Sequence, residues 1–178
     1  YSLTHHREAD AVVTQYRELE ELAEFIYQDI PSELKDAYYQ LVLFPVKACA
    51  NLNELYVSAA KNQLYAAQGR SATNRMAERV RELFREDSLL TAYYHHSMSG
   101  GKWNHMMSQT HIGYTYWQQS EQNNMPEVIE ITLPETASMG VAFEYSAQAW
   151  TAGKPTPEPY AFDRDNRQQY YIEIFNRG

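Results

Sequence analysis

The sequence predicts a mainly α chain with a small β part: an antiparallel up-and-down helical bundle of three to four helices, followed by a partial antiparallel β-sheet. Three observations carry this. Up to Gly100, apolar residues recur alternately three and four positions apart, the spacing of one helix face. After Met125-Pro126 the period changes to two, as in half-buried strands. Between them, Gly100 to Pro126 holds Trp103, Trp117, Tyr114, Tyr116, His105 and His111 but only two charged residues, Lys102 and Glu121. These divisions give a bundle at 1–99, a connecting segment at 100–126 and strands at 127–178.

The first helix is expected from about Thr4 to Asp29, with Val12, Tyr16, Leu19, Ala23, Ile26 and Ile30 as its seam and Arg17, Glu20, Glu21 and Glu24 on the other face. Pro31 and Ser32 then punctuate the chain, and Ser32-Glu33 suits a helix start, where an acidic group meets the positive end of the dipole. A second helix from about Glu33 to Gln68 would end on Gly69 in a left-handed conformation. Its seam of Leu34, Tyr38, Leu41, Pro45, Ala48, Leu52, Leu55 and Ala59 survives Pro45, which predicts a kink near Leu41 to Pro45 or two abutting helices. Asn51 and Asn53 beside that seam suggest a buried polar link.

Ser71 or Thr73 would cap a third helix running to about Ser97, with Met76, Val80, Leu83, Asp87, Leu90 and Tyr94 as its seam. Asp87 therefore lies on the apolar side and needs a donor, through an ion pair or a tyrosine hydrogen bond; the functional alternative, a general acid or base, is weakened because no second carboxylate shares its face. Gly100-Gly101 stops this helix; Lys102 to Gln109 reads as a short helix and Gly113 as a turn. Strands are expected at Val128 to Leu133, at Val141 to Trp150, and at Tyr170 to Phe175, with a proline-rich loop at Lys154 to Pro159. Three strands cannot close a sandwich by themselves, so the sheet must lean on the bundle or pair with strands beyond this segment.

Composition limits the function. A net charge of −8 over 178 residues, with no basic stripe, argues against nucleic acid or an anionic membrane as partner. No apolar run approaches the roughly 18 residues of a membrane span, and the opening YSLTHHREAD lacks the regions of a signal peptide, as though the chain began inside something larger. Cys49, the single cysteine, excludes an intrachain disulfide and is expected to be a small buried apolar residue. Fifteen tyrosines supply apolar rings with a hydroxyl at the tip, a chemistry favoured at interfaces and sugar sites.

Specific chemistry is sparse. His5-His6 and His95-His96 are adjacent pairs, which point about 100° apart on a helix and cannot share a metal, and His105 and His111 are wrongly spaced for one face. No metal, cofactor or catalytic residue is therefore assigned. There is no GxSxG and no glycine-rich phosphate loop, and the acidic residues fall mostly on solvated helix faces rather than in a pair suited to glycoside hydrolysis. What survives is contact with a neutral, hydroxyl-rich ligand: Trp103, Tyr114 and Trp117 offer ring faces, and Asn104, His105, Gln109 and His111 offer polar groups. The alternative is that these rings pack the joint between bundle and sheet, or dock another domain.

The strings GGKWNHMMSQTHIGYTYWQQ, YYQLVLFPVKACANLNELYVSAAKNQLYAAQGR and the terminal YYIEIFNRG resemble the carboxy-terminal part of glycoside hydrolase family 115, the xylan α-1,2-glucuronidases. The resemblance spans nearly the whole chain; Ser120 departs from it where a proline is more typical. It implies a secreted or periplasmic, multidomain and dimeric enzyme that releases glucuronic or 4-O-methylglucuronic acid from glucuronoxylan. An amino-terminal α/β domain and a TIM barrel would supply the catalytic machinery, and this chain would be the bundle and the opening strands of a β-sandwich. No family catalytic residue maps onto a position here, so Trp103 to Trp117 becomes a candidate for contact with the absent barrel or the edge of its pocket. Competing expectations are a carbohydrate-binding module and an oligomerisation domain.

Overall fold

The structure, a computed structural model of the 178-residue chain, describes residues 1–114, 120–155, 161–162, 164–165 and 169–178. Helix α1 runs Glu8–Asp29, α2 Lys35–Tyr38, α3 Phe44–Gln68 and α4 Thr73–Ala92, and three strands follow, β1 Met139–Phe143, β2 Ala149–Thr151 and β3 Ile172–Asn176. The chain is mainly helical with a small antiparallel sheet, as expected. α3 packs against both α1 and α4. Its pairings run in opposite senses along the chain: Lys61 with Asp10 and Lys47 with Glu24, then Asn62 with Thr73 and Asn51 with Leu83, which makes both contacts antiparallel. No helix among the described residues is long and apolar enough to cross a membrane.

Pro45 is absorbed without a break. A π-helical turn, Tyr39–Leu43, joins α2 to α3 with right-handed helical angles on either side, so the donor that proline lacks falls where the ladder is already widened. A second π turn, Tyr93–Ser97, extends α4. The two wide turns meet: Tyr39 stacks edge-on against Tyr93 with ring centroids 4.9 Å apart, and Phe44 lies 4.5 Å from Tyr94. Around them Ala23, Tyr39, Leu43, Phe44, Tyr94 and Met98 form one core; Leu55, Leu83 and Ile112 form a second. Gly69 ends α3 in the left-handed region, as its place after Gln68 predicts. Asn51 donates from Nδ2 to the Leu83 carbonyl at 3.0 Å, the buried polar link expected beside the seam, but among the described residues the buried Oδ1 atoms of Asn51 and Asn53 have no hydrogen-bond partner.

Several expectations are corrected. α1 starts at Glu8 rather than Thr4, because His6 and Arg7 take left-handed angles. Its seam is only partly covered: Ala23 is buried, but Leu19 and Ile26 are exposed beside Leu22 and Phe25. Lys102 to Gln109 is a series of turns, not a helix, since Gly100, Gly101 and His105 all have positive φ. Neither Ser32 nor Ser71 nor Thr73 makes an N-cap bond; the Thr73 hydroxyl donates instead to the Arg70 carbonyl at 2.7 Å. Cys49 is exposed rather than buried.

The segment expected as a strand at 128–133 is extended but joins no ladder. Two asparagine side chains take the place of a partner strand. Asn62 accepts from Ile129 N–H at 2.7 Å and donates to its carbonyl at 2.8 Å, and Asn74 does the same for Ile131 at 2.9 and 3.0 Å. A primary amide carries one donor edge and one acceptor edge, like a peptide unit, so each asparagine satisfies a residue that a neighbouring strand would otherwise pair.

The span from Val141 to Trp150 is two strands, turned at Tyr145 with φ 69°, and the sheet order is β2-β1-β3. Gly140, Ala142 and Phe175 share the inner face by register. Arg70, buried at the end of α3, holds this face to the bundle: its guanidinium lies 4.4 Å from the Tyr65 ring and 4.0 Å from the Phe175 ring, and Nη2 donates to Glu173 Oε2 at 2.6 Å. Gly140 is required beneath it, because a Cβ there would come within 2.4 Å of the Phe175 ring. The sheet thus leans on the bundle. Its other face carries Met139, Val141, Phe143, Trp150, Ile172 and Ile174, apolar except for Asn176 opposite Met139 at the sheet's end.

Candidate functional site

The connecting segment is laid across the helices by local backbone geometry. After the second π turn, Ser99, Gly100 and Gly101 adopt consecutive left-handed angles and reverse the chain. Turns follow, with Asn104 N–H donating to the Gly101 carbonyl and Met106 N–H to that of Trp103, each at 3.1 Å. Met98 is buried in the first core, and the half-buried Trp103 packs against the same cluster under Lys102 Nζ, 4.8 Å from its ring.

The far end is anchored more deeply. Ile112 is fully buried between Leu55 and Leu83. Asn123 Oδ1 accepts from both His111 N–H and Ile112 N–H, at 2.8 and 3.0 Å, and the Ile112 carbonyl accepts from Asn124 N–H. Gly113 donates to the Tyr56 hydroxyl at 3.0 Å with φ 79°, and a Cβ there would meet Asn124 at 2.8 Å, so this turn requires glycine.

Between loop and bundle lies a cavity of about 570 Å³. Phe44, Ala48, Leu52 and Leu90 supply apolar wall from the helices, and Met106 and Met107 supply it from the loop. His111 and Tyr114 line it from the loop, with Asp87 and Cys49 opposite on the helices. Trp103, Asn104 and His105 do not line it: Trp103 belongs to the first core, while Asn104 and His105 are exposed beside it. Trp117 lies outside the described residues. The seven positions singled out from sequence are therefore not one ring-faced surface; Gln109, His111 and Tyr114 are brought together at the cavity and the other three described ones are not.

Asp87 has the ion pair its position demands. It is 3 % exposed, and His111 Nε2 sits 2.7 Å from its Oδ1. The hydrogen bond to Asp87 raises the His111 pKa above 6.5, burial works against this, and the Gln109 carbonyl at 3.0 Å from Nδ1 adds to the rise. Both ring nitrogens thus face acceptors, which leaves no lone pair to take a proton from Cys49 or from a bound hydroxyl. Asp87 is the single carboxylate among the cavity's lining residues, so the paired acids of glycoside hydrolysis are missing there. Among the described residues no group of three His, Cys, Asp or Glu is placed to hold a metal ion.

A second cavity, about 370 Å³, lies among α1, α3 and α4 and is lined by many charged side chains beside Val13, Val57 and Met76. Its centre is Glu54, 9 % exposed, bonded by Arg17 and by Arg79 Nε at 2.8 Å. Burial pushes the Glu54 carboxyl up, but the hydrogen bonds from Arg79 and Arg17 outweigh it and hold the group below 4.5. This is a structural knot joining three helices. The sequence signals Glu54 only as an acid falling one position before the seam residue Leu55.

The cavity side chains missed from sequence are Cys49, Met106 and Met107. Cys49 and its neighbour Ala48 differ by one position in helical phase, and the loop that lies over them is placed by contacts remote in sequence. No protein family's sequence profile matches the chain, and no characterised protein is significantly similar to it.

Proposed function

We propose that this chain is a non-catalytic helical and β segment of a xylan α-1,2-glucuronidase-like glycoside hydrolase, supporting a catalytic barrel that lies elsewhere in a longer secreted or periplasmic protein. The observation that carries the structural half of this reading is the outer sheet face. Met139, Ile172 and Ile174 are 57 %, 55 % and 70 % exposed and share that face with Val141, Phe143 and Trp150, with Asn176 as the polar member at its end. An isolated three-stranded sheet with one face on a bundle ordinarily turns polar residues outward. An apolar outer face is what one half of a β-sandwich presents to its second sheet, and the family resemblance supplies that sheet together with the barrel. The occupied nitrogens of His111 and the half-buried ring of Trp103 weigh against direct sugar binding at the loop, which instead offers Met106, Met107 and Tyr114 for covering by a neighbouring domain.

The exposed stripe Leu19, Leu22, Phe25 and Ile26 on α1 favours a second role in homodimerisation.

The test compares one substitution in two settings. In the longer enzyme, Ile174→Lys would bury a charge between sheets and forfeit about 1.5–3 kcal/mol of apolar burial at least. In the isolated chain the same change is on the surface and should stay within about 0.5 kcal/mol of the parent. Equal losses in both settings would overturn the reading. Release of uronic acid from glucuronoxylan by the pure chain, which is not expected, would do so as well.

A further inference from the structure

Two imidazoles tie the loop 102–114 to the bundle, and their bonds require opposite protonation. His111 faces the Asp87 carboxylate through Nε2 and the Gln109 carbonyl through Nδ1, at 2.7 and 3.0 Å. Two acceptors can be satisfied only by an N–H on each nitrogen, the imidazolium form. Sharing that proton with Asp87 leaves the number of protons on the pair unchanged. His95, buried in the π turn that extends α4, has Nε2 3.3 Å from the Met107 backbone nitrogen. That amide can only donate, so His95 Nε2 has to be bare and the ring neutral.

We propose that loop 102–114 is a strap over the apolar cavity that is fully fastened only within a pH window, being loosened by acid through His95 and by alkali through His111. The strap belongs to the chain by itself, whatever the loop docks against.

The surroundings set the two limits in opposite directions. Burial depresses the His95 pKa below 6.5, and His96 and His105, with ring centroids 6.0 and 6.4 Å away, push it further down. Tyr94 is the other ring against it, at 5.9 Å. Asp87 from α4 raises His111, as described; Cys49 from α3 and Tyr114 from the loop are the other titratable groups in that cavity, and the Tyr56 hydroxyl bonds the adjacent Gly113. A raised histidine pKa contributes stability that is complete below 6.5 and lost as pH rises through the folded value. A depressed one contributes stability that is complete above 6.5 and lost as pH falls through the folded value. The strap is therefore tightest near 6.5 and slackens on both sides.

Methionine-methyl NMR of the whole chain between about pH 5 and pH 9, a range spanning ordinary histidine titration, reads this directly. Met106 and Met107 signals should show two inflections, one on either side of 6.5. In H95Q the amide oxygen accepts from Met107 N–H at every pH, so the acid inflection should vanish and the alkaline one stay. In D87N the alkaline inflection should move down while the acid one stays. Imidazole 15N shifts of the unsubstituted chain give a reading independent of variant folding: His111 should be imidazolium and His95 neutral at 6.5. The reverse assignment, methyl signals flat across the range, or both inflections intact in H95Q and D87N would overturn the proposal.

Discussion

Replacing Asn62 with alanine tests whether an amide side chain can stand in for a strand. Asn62 is fully buried and makes three hydrogen bonds, to Ile129 N–H, to the Ile129 carbonyl and to the Thr73 carbonyl, at 2.7, 2.8 and 2.9 Å. Each is worth about 1 kcal/mol net, and a buried group left without a partner costs more. Thr73 is itself fully buried, so its carbonyl cannot be rehydrated, whereas Ile129 is 43 % exposed and its two groups can partly turn to water. The expected loss is about 2–3 kcal/mol by urea denaturation, equivalent to a fall of about 4–12 °C in Tm for a chain of this size. Asn74→Ala removes two bonds at a half-buried site and should cost about 1 kcal/mol. Amide exchange at Ile129 should quicken in Asn62→Ala and at Ile131 in Asn74→Ala. A variant Asn62→Ala within about 0.5 kcal/mol of the parent, with Ile129 still protected, would refute the reasoning.

Two further outcomes follow from the same kind of accounting. Arg70→Lys keeps the charge but loses the planar stack between Tyr65 and Phe175; the loss should be about 1–2 kcal/mol and should appear first as faster amide exchange in β3, while equal exchange would deny Arg70 its part in holding the sheet. Because Glu54 is held below its ordinary 4.5, its contribution is present above that value and lost as pH falls through the folded pKa; Glu54→Gln should flatten the acid limb of the stability profile, and an unchanged limb would place the acid sensitivity elsewhere.

Much of the helical part was legible because its causes are local. The seam of α4 is buried at Val80, Leu83 and Tyr94 as its spacing requires, Gly69 closes α3, and Asp87 among apolar neighbours announced a partner without naming it. That partner, His111, lies 24 positions on, and nothing in either local pattern connects the two. The stretch 128–133 failed for the opposite reason: alternation reports two faces with different surroundings, and an extended chain docked by Asn62 and Asn74 has them as surely as a strand does. α1 shows a third limit, since a seam states which residues want cover and not how much cover the neighbouring helix provides; Leu19 and Ile26 are still exposed.

By itself the sequence determined the long helices, the glycine that closes α3, part of the sheet-forming tail and the need of Asp87 for a donor, because periodicity, glycine geometry and the cost of a lone buried charge all act within a few residues. The tertiary structure alone decided that Ile112 pins the connecting loop, that His95 and His111 tie it to the bundle, that Cys49 is exposed at the cavity, and that one sheet face is spent on Arg70 while the other is left largely apolar. Those outcomes depend on which distant groups arrive beside one another, and that is settled by packing three helices and a sheet together rather than by any stretch of chain.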